Sequence, residues 1–348
     1  MNSRFLRCSA WVVCLALGMT GCQRTESPQF VAAPKLGELS VGLQAAAQAE
    51  LVKYTGSFQQ PLLVVEKDAP AVDLTRGQTV YQERCVQCHG VSGDGAGAAA
   101  KYMYPKPRDY RRGMFKFISA SYGHRPVRED LVRTVRQGIR GTSMPGFNLL
   151  HDRDLQAVVD YVVMLSRRGE LEEQLIDLAE SEQEVDPELV KDDLVTTVLR
   201  RWNDAEENEV LPLKSAPKFT TTHVERGKQA FLTKGCSKCH GEDGRGQTLD
   251  NRGNDVWGHP TRAADLTSGM LHGGTRPLDI YRRIYSGING TPMPSFANAL
   301  RDEPDTVWDL VAYVLSVSSR RREGQSPTPG PIRPYVPVAT EPAPQPAK

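Results

Sequence analysis

The chain has 348 residues, enough for two or three domains, and a formal net charge of +1 at pH 7. A near-neutral charge gives no basis for nucleic-acid binding, which is typical of strongly basic chains. Apart from the N-terminal segment, no stretch is long and apolar enough to suggest a transmembrane helix.

Residues 1–21 have the pattern of a secretory signal peptide. Arg4 and Arg7 precede a short apolar stretch at 8–19, which is too short to span a bilayer comfortably. The sequence from Met19 to Cys22 resembles a bacterial lipoprotein box, with Met19 where Leu is usual. The resemblance implies cleavage before Cys22 and several acyl chains on that residue, which would anchor the protein to a bacterial membrane on its periplasmic side. An ordinary cleaved signal with an incidental Cys22 is the alternative, and both versions predict export.

A lead segment follows at 22–72, with a weak helical pattern around Gly42 to Tyr54. Beyond it, Cys85-Val86-Gln87-Cys88-His89 recurs as Cys236-Ser237-Lys238-Cys239-His240. This C-x-x-C-H motif is typical of c-type haem attachment: the cysteines can form thioethers with the haem vinyl groups, and the histidine can reach the iron. A zinc site would need its ligands in one compact unit, and a redox pair gives no reason for the histidine to follow twice. Two haems, and therefore electron transfer, are the prediction.

The repeat extends beyond the two motifs. Three glycines follow each motif at equal spacing, at positions 90, 93 and 95 and again at 241, 244 and 246. Ordinary turns are the alternative, but the match at three positions in both copies favours a loop wrapped closely around a haem. Farther along, Met144 and Met293 each lie in a Gly-Thr-x-Met-Pro segment between two helical patterns. Each unit therefore predicts a first helix, a haem loop, a middle helix, a methionine loop and a last helix.

With these motifs the chain resembles a tandem di-haem cytochrome c with two class I-like, all-α domains, at 73–168 and 222–320. The resemblance implies that His89 and His240 are proximal iron ligands and that Met144 and Met293 are distal ligands. The histidine-to-methionine separations are 55 (144 − 89) and 53 (293 − 240) residues, nearly equal in the two units. It also implies that the first and last helices cross, with recurring aromatic residues on them. The rival is bis-histidine ligation, for which the candidates are His124, His151, His223, His259 and His272.

Two further features surround the ligands. Arg108 and Arg262 are expected to contact haem propionates, since guanidinium groups suit carboxylates; solvated surface charge is the alternative. Residues 99–140 hold 11 Lys/Arg against 3 Asp/Glu. This basic stretch could dock an acidic redox partner or could pair with acidic residues of the same chain.

The remaining segments are an insert and a tail. The insert, 169–221, is acidic, with 15 Asp/Glu against 4 Lys/Arg in 170–217. Its apolar residues fall at helical spacing, which predicts two short amphipathic helices packed on the cytochrome units; a disordered tether is the alternative. The tail, 321–348, is rich in proline and is predicted to be extended and disordered.

The function that the resemblance implies is electron transfer rather than catalysis. Irons with both axial positions held by protein have no place for a small-molecule substrate. The expected partners are other redox proteins or a membrane respiratory complex. The alternatives are a di-haem cytochrome c peroxidase-like enzyme and a cytochrome subunit of an oxidase or quinol-oxidising complex.

Overall fold

A computed structural model of the protein describes residues 28–66, 70–246, 248, 253–320 and 323. This part of the chain is mostly helical, with a single two-stranded sheet. Its α-helices are α1 Val41–Thr55, α2 Leu74–Arg84, α3 Val86–His89, α4 Arg128–Gln137, α5 Asp152–Glu182, α6 Pro187–Leu189, α7 Thr196–Glu207, α8 Thr221–Thr233, α9 Cys236–His240, α10 Pro277–Tyr285, α11 Ala297–Leu300 and α12 Pro304–Ser319. Strands β1 Gly253–Asn254 and β2 Pro260–Thr261 pair antiparallel, and short 3₁₀ helices span Pro34–Glu38, Ala100–Tyr102 and Leu266–Ser268. A π-helical turn spans Val190–Val195.

Some predicted features lie outside the described residues. They are the signal peptide, Cys22 and all of the proline-rich tail except residue 323. Within the described ranges, no helix combines the length and the apolar character needed to cross a membrane.

Each cytochrome unit is built around a close crossing of its first and last helices. Helix α2 crosses α5, and α8 crosses α12. Glycine permits the approach: a Cβ at Gly77 would lie 2.1 Å from the carbonyl oxygen of Ala157, and one at Gly227 would lie 1.9 Å from that of Asp309. Aromatic pairs fill the space beside the crossings, with ring centroids 5.2 Å apart for Tyr81 and Tyr161 and 5.1 Å apart for Phe231 and Tyr313. The all-α fold with two such domains is confirmed.

The insert is helical and packed, as the spacing of its apolar residues predicts. Its first predicted helix is the end of α5, which runs without a break through the expected domain boundary at 168 to Glu182. The lead helix α1, the second half of α5 and helix α7 share one apolar core. Glu170 lies at its edge with 1% of its side chain exposed, where it binds Arg125 at 2.7 Å and accepts a hydrogen bond from Trp202 at 2.8 Å. The insert is therefore part of the first domain's interior rather than a free tether.

The two domains contact each other through the segment before α4 and through helix α10. Arg282 of α10 is buried and donates to the hydroxyl of Ser119 at 2.7 Å and to the carbonyl of Val210 at 3.2 Å. The end of the insert pairs with the same segment, because Val210 N–H donates to the Ser119 carbonyl at 2.9 Å. These polar contacts are satisfied inside the interface, so they fix how the domains meet.

Candidate functional site

The two C-x-x-C-H motifs adopt the same short helical turn at the end of a longer helix. In the first domain, α2 ends at Arg84 and the motif continues as α3, with His89 N–H bonded to the Cys85 carbonyl at 2.9 Å. In the second, α9 contains the motif from Cys236 to His240. Gly90 and Gly241 follow the histidines at φ values of +75° and +73°, which favour glycine. One turn of helix thus brings both cysteines and the histidine of each motif together.

The loop after each motif folds back under its histidine. Gly95 N–H donates to the His89 carbonyl at 2.9 Å, and Gly246 N–H donates to the His240 carbonyl at 2.7 Å. The matching glycines that precede them, 93 and 244, accept from Tyr110 and Leu266 respectively, at 3.1 and 2.8 Å. The glycines that match in sequence are therefore also equivalent in structure. Their contacts align the segments that follow the two haem loops, with position 110 corresponding to position 266.

Both histidine rings are oriented by a backbone carbonyl. His89 Nδ1 lies 3.4 Å from the Arg108 oxygen, and His240 Nδ1 lies 3.2 Å from the Ala264 oxygen. With Nδ1 donating to the carbonyl, Nε2 is left as the metal-binding nitrogen. Burial lowers the pKa of both histidines, which favours the neutral imidazole that a metal ligand needs.

The methionine loops are also built twice from the same bonds. Ile139 N–H donates to the Met144 carbonyl at 3.1 Å, and Ile288 N–H donates to that of Met293 at 3.2 Å. The methionine N–H groups in turn donate to threonine hydroxyls, from Met144 to Thr142 at 3.1 Å and from Met293 to Thr291 at 3.2 Å. Each threonine hydroxyl donates back to the isoleucine carbonyl, at 2.8 and 2.9 Å. The Gly-Thr-x-Met-Pro sequence therefore encodes a rigid tight loop that presents its methionine in a fixed direction.

In the first domain the predicted haem-binding residues surround one cavity. Cys85, Cys88, His89 and Met144 all line it, and it is partly open to solvent. The other lining residues are mostly apolar or aromatic, which suits a large flat macrocycle. Burial raises the pKa of the Cys85 thiol to about 12 and that of Cys236 to about 11, so both unmodified side chains are neutral. The residues present therefore fit a c-type haem.

The two arginines expected at the propionates occupy different environments. Arg108 lines the first cavity and keeps 17% of its side chain exposed. Burial lowers its pKa to about 10, against the opposing effect of Asp255. Arg262 is exposed, and the residue that corresponds to Arg108 is Ala264, because their carbonyls bind the two histidines. Arg108 and Arg262, the two arginines expected from the sequence, are therefore not structurally equivalent, and Arg108 is the one of them that lines the first cavity.

Most of the basic stretch at 99–140 is paired within the chain. Arg125 and Arg112 bind Glu170 and Glu173 at the start of the insert, at 2.7 and 3.3 Å. Others bind Asp109, Asp130, Asp152, Asp160 and Asp255. Internal pairing therefore accounts for these cations better than a docking face does.

Two residues that the sequence did not link to each other also meet at the first cavity. His272, named only as a rival ligand, lines it from the second domain, and its Nε2 would lie 3.1 Å from a Cβ at Gly141. Lys116 lines it too and binds Asp255 of the second domain at 3.1 Å. No local sequence signal marks these residues, since they meet only when the domains dock.

Comparisons with known proteins agree with this geometry. Residues 72–162 match the family model described as cytochrome c oxidase, cbb3-type, subunit III, and residues 224–318 match the model described as cytochrome c. A chain of the reducing HAO-like protein complex of Kuenenia stuttgartiensis has a similar structure, with a TM-score of 0.56 and 30% sequence identity. The similarity covers 71% of the present chain and 97% of that chain. A search of curated proteins found no match.

Proposed function

This chain carries two cytochrome c-type domains in tandem, and we propose that it is a di-haem electron-transfer protein that relays single electrons between redox partners. The observation that carries the proposal is the duplicate site. The same histidine turn and the same methionine loop are built twice, with matching hydrogen bonds. Two sites with equivalent histidine turns and methionine loops suit a relay better than they suit an enzyme with one specialised haem.

The residues have the following proposed roles. Cys85, Cys88, Cys236 and Cys239 hold the two haems covalently, His89 and His240 are the proximal ligands, and Met144 and Met293 are the distal ligands. A bound c-type haem supplies one-electron chemistry between Fe(II) and Fe(III). The chain orients each imidazole through a carbonyl, fixes each thioether through its tight loop and surrounds the site with apolar side chains. A neutral thioether ligand favours Fe(II) and raises the potential above that of bis-histidine ligation.

The protein is proposed to be a carrier rather than an enzyme. Both methionine loops are complete and similarly bonded, so each domain would offer a methionine as well as a histidine to its haem iron. A peroxidase-like enzyme would need one iron with an open position for hydrogen peroxide. The equal construction of the two loops argues against that specialisation.

A second candidate is that the chain works as the cytochrome subunit of a larger redox complex. The first domain is similar to a subunit of cbb3-type cytochrome c oxidase, and the structural neighbour comes from a multi-protein complex. This reading is compatible with the first, because the subunit would still carry electrons. Copurification of the tagged protein from its native membranes, with haem-staining and peptide identification, would separate a free carrier from a subunit.

The proposed location is the periplasmic side of a bacterial membrane, with lipid on Cys22. Support comes from the signal-like N-terminus and from the haem motifs, since cytochrome c domains are typically exported. A Cys22→Ser variant should move from the membrane fraction to the soluble periplasmic fraction. Retention in the membrane fraction would contradict the lipid anchor.

The central test is a haem count with a redox titration. The mass of the purified, processed protein should include two covalent haems, and its titration should require two one-electron components. Both oxidised haems should show the weak long-wavelength band of methionine ligation. A high-spin haem with peroxide turnover would overturn the carrier assignment.

A further inference from the structure

A buried carboxylate of the second domain lies against the first haem cavity. Asp255 follows strand β1, in the turn that leads to β2, and its side chain is 4% exposed. Its Oδ1 accepts hydrogen bonds from the N–H groups of Trp257 at 3.1 Å and His259 at 3.0 Å. These bonds hold the carboxylate in one orientation and leave Oδ2 for other partners.

The Oδ2 atom faces two cations of the first domain. Lys116 Nζ lies 3.1 Å from it and Arg108 Nη2 lies 3.8 Å from it. Both cations line the first cavity and both are largely buried. Burial opposes the ionised carboxyl group, but Lys116 and the backbone N–H of His259 hold the pKa of Asp255 below its usual range, so it is charged at neutral pH.

The turn that carries Asp255 is fixed to the second methionine loop. Val256 N–H donates to the Gly290 carbonyl at 3.0 Å. The Trp257 ring also packs on Gly290, where a Cβ would lie only 2.5 Å from it. The Trp257 ring also stacks on the Arg108 guanidinium, whose carbon is 3.4 Å from a ring centroid. The second methionine loop therefore positions the carboxylate, which contacts two cations that line the first cavity.

Among the side chains that line the first cavity, positive charges outnumber negative ones. The charged lining residues are Arg84, Lys106, Arg108, Lys116 and Asp130. The one carboxylate among them, Asp130, already binds Arg133 at 2.8 Å and the Ser119 hydroxyl. Positive charge near a haem favours Fe(II) over the more positive Fe(III). A carboxylate that neutralises buried cations therefore lowers the potential, and burial limits screening by solvent.

We propose that Asp255 is a potential-setting residue that the second domain supplies to the first haem site, by neutralising Lys116 and Arg108. The inference rests on the proposed function, because it needs a haem in the first site. It makes the midpoint potential of the first haem depend on docking of the second domain. Asp255 acts through the two cations, so it is a positioning and charge-balancing residue.

The test is a spectroelectrochemical titration of the full-length protein with both haems attached. Asp255→Asn keeps an oxygen that can accept from the two backbone N–H groups but removes the charge, so the midpoint of the first haem should rise. Lys116→Gln removes a cation and should lower the same midpoint. In the variant that combines both substitutions, the midpoint of the first haem should return toward its wild-type value. The first haem is identified as the one-electron component of the titration whose midpoint shifts in the Met144→His variant.

Midpoint shifts of opposite sign in Asp255→Asn and Lys116→Gln indicate an electrostatic role. Loosened packing would shift the first haem's midpoint in the same direction in both variants. Asp305→Asn is the matched control, because Asp305 is 72% exposed in its pair with Lys214. It should leave both midpoints unchanged. The proposal is overturned if Asp255→Asn moves neither midpoint or moves both equally, or if the single variants shift the first midpoint in the same direction. If Asp255→Asn does not fold, an unchanged first midpoint in Lys116→Gln overturns it alone. A wild-type protein without two covalent haems would instead refute the proposed function.

Discussion

The helix crossing of the second domain depends on the absence of one methyl group. Gly227 lies in α8 where that helix meets α12, and an added Cβ would lie 1.9 Å from the Asp309 carbonyl oxygen and 2.9 Å from Tyr313 Cβ. The first obstacle is backbone of a long buried helix, which no rotamer change can move. We therefore expect Gly227→Ala to push the two helices apart.

The magnitude follows from two opposing effects. Alanine stabilises a helix interior by about 1 kcal/mol relative to glycine. Overpacking a tight core typically costs about 1–3 kcal/mol, and occasionally more. Because the contact is far below van der Waals distance and the displaced helices also carry the Phe231–Tyr313 ring contact, the cost should exceed that range. A net loss of about 2 kcal/mol or more corresponds to roughly a 30-fold fall in the folded-to-unfolded ratio.

The assay is thermal unfolding of the holoprotein, followed by far-UV circular dichroism and by haem absorbance. The transition of the second domain should fall by roughly 10 °C, since about 1 kcal/mol shifts a domain of this size by about 4–8 °C. Gly42→Ala in α1 is the matched control, because an added Cβ there meets nothing within 4 Å. It should leave stability unchanged or slightly raised. A Gly227→Ala protein as stable as wild type would refute the steric reasoning.

Three other predictions concern the ligands, the charges and pH. Met144→His should lower the midpoint of one haem, because imidazole favours Fe(III) more than a thioether does; an unchanged redox titration would rule out Met144 as a ligand. Electron-transfer rates with a soluble acidic partner should depend weakly on salt, because most cations of 99–140 are paired internally; a steep fall in stopped-flow rates with ionic strength would contradict this. Burial raises the pKa of Asp279, but two side-chain bonds from Arg276, at 2.8 and 2.9 Å, leave it below its usual value. That ion pair therefore stabilises the fold above about pH 4, and its contribution is lost as pH falls further. In urea unfolding, Asp279→Asn should lower the free energy of unfolding more at pH 7 than at pH 3. An equal loss at both pH values would exclude the linkage.

The helices and the site loops could be predicted because their signals are local. The C-x-x-C-H turn, the glycines after it and the Gly-Thr-x-Met-Pro loop each use residues a few positions apart. Their bonds, such as Met144 N–H to Thr142, span two residues. The spacing of apolar residues likewise predicted a packed insert, since its helices bury one face in the first domain's core.

The arginines were harder to assign because equivalence in a loop depends on the path of the backbone. Arg108 and Arg262 lie in corresponding stretches of sequence. The backbone contacts align the stretches, through the carbonyls that meet His89 and His240 and the N–H groups that bind the matching glycines, and they match Arg108 to Ala264. The continuous helix α5 likewise hides the end of the first domain, because its helical geometry continues through 168 to Glu182 despite Gly169.

The sequence by itself determined that two haem-binding units stand in tandem, because covalent attachment and tight loops are specified by neighbouring residues. The tertiary structure alone decided which groups of one unit meet the other. Lys116 and Asp255 are 139 positions apart, and no periodicity or motif links them. Their pairing arises from domain docking, in which buried cations on one surface must meet a carboxylate on the other because a buried charge without a partner is costly.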